Sequence, residues 1–331
     1  MARVAKLALS PPVGDQPAIA NPAPAVSGVV AVGSVTTKPA GRLNLAGKLL
    51  RQKTATLFRH FPAALACDEE GIHQLRVWGR RLRVALRLLA SKPHGKRANR
   101  AQQLLQLMTQ TAGAGRDLDV LLEIFVDHLK QAPRPSPEQR QLRRRLASAR
   151  RRSRVRMVQG LLDLDIARLR ADLAKIAAQA GSDTMAIEQK FLTLCDRESC
   201  KLCDGFAALG AVLDVEALHG LRRRARRMRY AVEVHGEVFA GASAATKPWK
   251  TLQDLIGVVH DHHVLSEWFD SQSQADRKRG NPALAAVASA EAAWAREAVH
   301  RLHAEFLAAK PLALIEEGLR AAGYVPPARA Q

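Results

Sequence analysis

Ile72-His73-Gln74-Leu75-Arg76-Val77-Trp78-Gly79-Arg80-Arg81-Leu82-Arg83-Val84-Ala85 carries two patterns at once. On a helical wheel turning about 100° per residue, Arg76, Arg80, Arg83 and Arg87 fall within about 80° of His73. Leu75, Leu82, Leu86 and Leu89 gather about 140° away, with Trp78 and Ala85 beside them. The pattern predicts a helix with one packed face and a separate basic face. No acidic residue occurs from Ile72 to Lys92. The i,i+4 acid–base pairs that usually stabilise a surface helix are therefore missing here.

The same pattern returns 146 positions later. Leu218-His219-Gly220-Leu221-Arg222 reads on through Arg226-Arg227-Met228-Arg229 and Ala231. His219, Arg222, Arg226 and Arg229 form the second stripe, and Leu221, Met228 and Val232 its packed side. Glu233 stands where the first copy has Arg87, which shortens the second stripe by a turn. Downstream, the block from Arg116-Asp117-Leu118 to Phe125 is answered by His260-Asp261-His262-His263 to Phe269, displaced by 144. Pro137-Glu138 is echoed by Asn281-Pro282 in the same way. Two blocks in the same order at nearly one displacement indicate an internal duplication.

Breaks at Pro62 and Asp68, Pro93 to Gly95, Pro133 to Pro137 and Gly181-Ser182 divide the first copy into four helical stretches. These run over about 43–66, 70–91, 97–131 and 138–180, with Gly113 and Gly115 expected to break or kink the third. The whole chain then reads as an all-α protein: a tail over 1–41, rich in Ala, Pro, Val and Gly and expected to be disordered, a first four-helix repeat over 42–183 and a second over 184–325. Composition agrees: Ala, Leu and Arg abound, and aromatics make up only 4% of the 331 residues.

The formal net charge is +20, which points to an anionic partner such as nucleic acid, an acidic membrane surface, an acidic protein or free polyphosphate. The first stripe is about 20 Å long at 1.5 Å per residue, a span that suits a linear chain of phosphates better than one small anion. Arginine is always charged, pairs bidentately with phosphate oxygens and sheds water more readily than lysine. A histidine at the start of the stripe can donate a ring N–H to an oxyanion. No apolar run approaches the length of a spanning helix, so membrane insertion is not expected. Pro11-Pro12 cut the apolar start too short for a signal peptide, which predicts a cytoplasmic protein.

The blocks from Ile72-His73 to Arg83 and from Gly115-Arg116-Asp117 to Leu122 resemble first-half signatures of the CHAD family, the conserved histidine α-helical domain. Leu218-His219 to Ala231 and Leu252-Gln253-Asp254-Leu255-Ile256-Gly257 resemble its second-half signatures. The resemblance covers about 42–325. It implies two antiparallel four-helix bundles related by pseudo-twofold symmetry, around a basic cavity that binds inorganic polyphosphate, and recruitment to polyphosphate granules. Carried over by position, the binding candidates are His73, Arg76, Arg80, Arg83, His219, Arg222, Arg226 and Arg229. Arg87 extends the first stripe, and Lys250 stands where family members often carry a basic residue. Trp78-Gly79 and His260-Asp261 depart from the family pattern and leave the shape of the cavity open. The Glu-x-Glu-x-Lys motif of the CYTH triphosphatase domains often fused to this family is missing from the chain, and neither catalysis nor a cofactor is expected.

Other features compete with this reading. The segment 143–156 holds eight arginines around a narrow stripe of Leu142, Leu146, Ala149, Ser153 and Met157. Most should be solvated, and they are the best support for nucleic-acid binding instead. His260-Asp261-His262-His263 invites a metal-dependent phosphohydrolase reading, but adjacent residues on one helix point different ways, so a polar helix end is the default. Cys195, Cys200 and Cys203 have a ferredoxin-like spacing without a following fourth cysteine, and read as small helix residues. Asp117 and Asp261, present in both copies, are expected to hold helices or orient basic side chains.

Overall fold

The computed structural model describes residues 44–325, apart from 132, 133, 182, 211, 240–244 and the side chain of 114. The 1–41 tail lies outside the described residues. Among them, all regular structure is α-helical: α1 (Leu45–Arg59), α2 (Phe61–Leu65), α3 (Glu69–Leu89), α4 (Lys96–Gln131), α5 (Pro137–Leu162), α6 (Ile166–Gln179), α7 (Thr184–Ala208), α8 (Val215–Phe239), α9 (Thr246–Lys278), α10 (Pro282–Ala308) and α11 (Pro311–Ala321).

Local chemistry explains the boundaries. Asp68 caps α3 by accepting from the Gly71 N–H at 2.6 Å, and Glu69 and Glu70 add negative charge to its first turn. Ser136 and Gln139 form a reciprocal capping box at the start of α5, with Pro137 in its first turn. Two expected stretches divide. The first breaks at His60, and Pro62 takes a first-turn position in α2. The fourth breaks after Leu162, because the Asp165 carboxylate accepts from the Arg168 N–H at 2.8 Å and caps a new helix, α6. The third stretch does the opposite: α4 is continuous through Gly113 and Gly115.

Packing pairs recur between the two halves. Helix α3 packs on α1 and α4, and α4 on α5 and α6; likewise α8 packs on α7 and α9, and α9 on α10 and α11. The halves meet through α3 with α8, α4 with α9, and α5 with α10. A single cluster of buried side chains runs through both halves, including Leu75, Leu82 and Leu86 of α3 and Leu221, Met228 and Val232 of α8. Each such side chain contributes roughly 1.5–3 kcal/mol through removal from water. A second cluster, with Phe125, Leu142, Phe269 and Leu284 among its members, joins α4, α5, α9 and α10. With their apolar faces anchored in one core, α3 and α8 bring their basic faces to a common seam.

Candidate functional site

Arg76 and Arg80 of α3 meet Arg222 and Arg226 of α8 at this seam. The Arg76 side chain is only 12% exposed; its Nη2 lies 3.3 Å from Asp117 Oδ1, and its Nη1 reaches the Ala112 carbonyl on α4. Arg222, its counterpart 146 residues on, is 21% exposed and has Nη2 3.8 Å from Asp261 Oδ1. Asp117 and Asp261 thus each stand beside a stripe arginine. The guanidinium groups pass close to backbone at two glycines. A Cβ at Gly113 would stand 2.9 Å from Arg76 Nη1, and one at Gly257 would stand 3.6 Å from Arg222 Nη2.

Arg80 and Arg226 differ from the outer pair. Among the described residues, neither has a carboxylate oxygen within ion-pair distance. Burial, and then the charges of Arg226 and Arg76, lower the pKa of Arg80. Burial and then Arg222 do the same to Arg226. A guanidinium keeps its proton at neutral pH regardless. The lowering reflects first the burial of these charged groups and second their closeness to one another, and a bound anion would offset both.

A histidine pair adjoins the cluster. The rings of His219 and His260 lie 5.0 Å apart with a 44° tilt. Burial first, then the charges of Arg222, His219, His263 and Arg226, push the His260 imidazole down to about 4. Burial followed by Arg223, Arg222 and Arg226 also depresses His219. Buried Nδ1 of His260 has no hydrogen-bond partner. His260 adjoins the arginine cluster, a placement that the sequence reading did not anticipate. Residues 260–263 lie in the middle of α9 rather than at a helix end, and their side chains separate. His262 bonds its ring nitrogen to the Val258 carbonyl at 2.9 Å, and His263 turns toward Glu267. Among the described residues no set of three His, Cys, Asp or Glu groups could hold a metal ion. Cys195, Cys200 and Cys203 all lie on α7, and burial pushes the Cys195 thiol up to about 12.

The rest of each predicted stripe separates. Half-buried His73 precedes Arg76 by one turn of α3. Arg83 donates to Gln106 Oε1 at 3.1 Å and feels the charges of Arg87 and Arg227. Arg87 is exposed, beside Arg227 and Arg197. Arg229 is drawn to Gln253 Oε1 at 2.8 Å and Glu233 Oε1 at 3.2 Å. Lys250 is exposed near the start of α9. In the arginine-rich α5, Arg145 pairs with Asp276, and Arg150 and Arg154 share Asp119, while Arg143, Arg144, Arg151, Arg152 and Arg156 are exposed. Ala149, expected on the packed stripe, is only half-buried. Two cavities of about 400 and 360 Å³ lie elsewhere, the first lined by Ser91, Lys96 and Gln179 and the second by Val126, Pro135 and Arg143. No helix among the described residues is long and apolar enough to cross a membrane.

Comparison with known proteins fits this geometry. The fold is similar to the crystal structure of the CHAD domain from the plant Ricinus communis, at 22% identity and a TM-score of 0.57, over 87% of this chain and 95% of that one. It is also similar to PptA from Streptomyces chartreusis, at 18% identity and a TM-score of 0.53, over 78% of this chain and 97% of that one. No curated protein matches the chain. The CHAD domain family model matches residues 48–270, a span that takes in α3, α4 and α8 with their four converging arginines, and the chain belongs to that family.

Proposed function

We propose that the seam between α3 and α8 binds inorganic polyphosphate, and that the protein acts by binding rather than by turnover. The observation that carries this reading is that Arg76, Arg80, Arg222 and Arg226, from both halves of the chain, act on one another's charge, while among the described residues no carboxylate oxygen lies within ion-pair distance of Arg80 or Arg226 and only the more distant Asp261 offsets Arg226. Half-buried like charges oppose folding unless an anion joins them. A linear polyanion supplies closely spaced oxyanions, each able to take a guanidinium fork. His219 and His260 add ring nitrogens at one end. Association with polyphosphate granules follows from such binding, and affinity falls steeply with salt as neutralised phosphates release counterions.

Nucleic acid is the second reading, favoured by the five exposed arginines of α5. Its weakness is the scarcity of aromatic side chains for base stacking, at 4% of the chain. Competition separates the two. Labelled polyphosphate is bound to the full chain and challenged with duplex DNA at equal phosphate concentration, over a salt gradient. Polyphosphate is expected to resist displacement. Ready displacement by DNA would transfer the seam, or the α5 surface, to the nucleic-acid reading.

A further inference from the structure

The two ends of the α3–α8 seam carry equivalent positions, one of which differs in the sign of its charge. Arg81 and Arg227 are 146 residues apart, as are Arg83 and Arg229, and Arg87 and Glu233. At one end Glu233 takes Arg81 in a bidentate pair, Oε2 to Nε at 2.8 Å and Oε1 to Nη2 at 3.2 Å. The same Oε1 accepts from Arg229 Nε at 3.2 Å. Arg81 also lies over the Trp78 and Tyr230 rings, at 4.8 and 5.7 Å from their centroids, so this end is closed by packing as well as by charge. One turn further, Lys53 pairs with Glu237 at 2.7 Å. Three cations face two carboxylates.

At the other end the carboxylate is replaced by a cation. Arg87 occupies the position of Glu233 and is exposed, within the field of Arg227 and Arg197. Arg83, the counterpart of Arg229, has a buried Nε with no hydrogen-bond partner. On Arg229 that same atom is the one that donates to Glu233. The acid at this end is Glu198, 1% exposed, which divides its two oxygens among Arg197, Arg224 and Arg227. Three arginines share that carboxylate, while Arg83 and Arg87 have no carboxylate oxygen within ion-pair distance among the described residues.

We propose that one oxyanion group of the bound polyanion occupies the place between Arg83, Arg87 and Arg227 that Glu233 fills at the opposite end, so that the phosphate chain leaves the central cluster in one direction only. Glu233 is then a built-in anion that terminates the track. It sets which end of the seam extends and limits how many phosphates one protein engages. This inference rests on the polyphosphate reading of the central cluster and adds a direction to it.

The test measures binding of long-chain polyphosphate to the full chain over a salt series, for the wild type, R87A, R229A, E233Q and the double variant R76A/R222A, with melting curves for each. Arg87 is exposed, so R87A keeps the fold. R87A is expected to weaken binding five- to tenfold and to lower the slope of log affinity against log salt by about 0.7, the contribution of one phosphate contact on a flexible strand. R229A in the wild type costs less than R87A on both measures, because Glu233 and Gln253 already hold the Arg229 guanidinium. E233Q frees Arg81 and Arg229, strengthens binding by a similar factor, and makes R229A costly when the two changes are combined. Equal effects of R87A and R229A, or no effect of R87A, overturn the one-directional track. An unchanged affinity in R76A/R222A overturns the polyphosphate reading itself, so the two failures are distinct.

Discussion

Gly113 of α4 lies directly under the guanidinium of Arg76 on α3: a Cβ at that position would be 2.9 Å from Nη1. The contact is with the far end of a flexible side chain, so it displaces the guanidinium from Ala112 and Asp117 rather than moving the helix. Gly113→Ala is expected to leave the melting temperature unchanged or slightly higher, since alanine is favoured over glycine in a helix interior by up to about 1 kcal/mol. Polyphosphate affinity falls several-fold in the same variant. Gly257→Ala is the control, because its Cβ meets Arg222 at an ordinary 3.6 Å. Binding and melting curves on the two variants check the pair; equal affinity in both contradicts the positioning role of Gly113.

The depressed pKa of His260 gives the site a proton linkage. Its folded value of about 4 is below the unfolded value near 6.5, so the unfolded chain takes up this proton more readily. The free protein therefore loses stability as pH falls from about 6.5 toward 4. A bound polyanion offsets the surrounding arginine charge and raises the His260 value, so affinity is expected to increase over the same window with net proton uptake. Calorimetry in two buffers of different ionisation enthalpy counts the protons. His260→Ala removes most of the uptake; identical uptake in that variant would assign it to other groups.

Asp119 is 3% exposed and accepts from Arg150 Nε and from Arg154 Nη2, the latter at 2.9 Å. Removing Asp119 takes away their shared buried acceptor and leaves the two arginines only the half-exposed Glu69, at 2.9 Å from Arg150 and 3.9 Å from Arg154. Asp119→Ala is expected to lower unfolding free energy by about 3 kcal/mol, read from urea denaturation, with little change in polyphosphate affinity. A loss below about 1 kcal/mol would show that Arg150 and Arg154 are adequately solvated without it.

The helical class and the arginine positions were legible because both follow from spacing. Leu75, Leu82 and Leu86 on one side of α3, and Arg76 and Arg80 on the other, need only a 3.6-residue period to be assigned. What escaped depended on neighbours. Gly113 and Gly115 read as helix breakers, yet α4 runs through them, and at Gly113 the missing side chain makes room for Arg76. His260 was submerged in a run of adjacent polar residues, and only the packing of α8 on α9 singles it out as the one that meets His219. The break between α5 and α6 was signalled by Asp165, a capping residue hidden in an otherwise periodic segment. Glu233 was visible as a departure from the repeat, but its hold on Arg81 and Arg229 required the structure.

The central claim is that Arg80 and Arg226 await an anion, and it is tested most directly by replacing both with methionine, which keeps their length and removes their charge. Polyphosphate binding and thermal stability are then measured on the same preparation. The account predicts that binding weakens at least a hundredfold while the melting temperature of the free protein rises, because repulsion at the seam is gone. Wild-type affinity in the Arg80→Met, Arg226→Met double variant, with the fold intact, would contradict it.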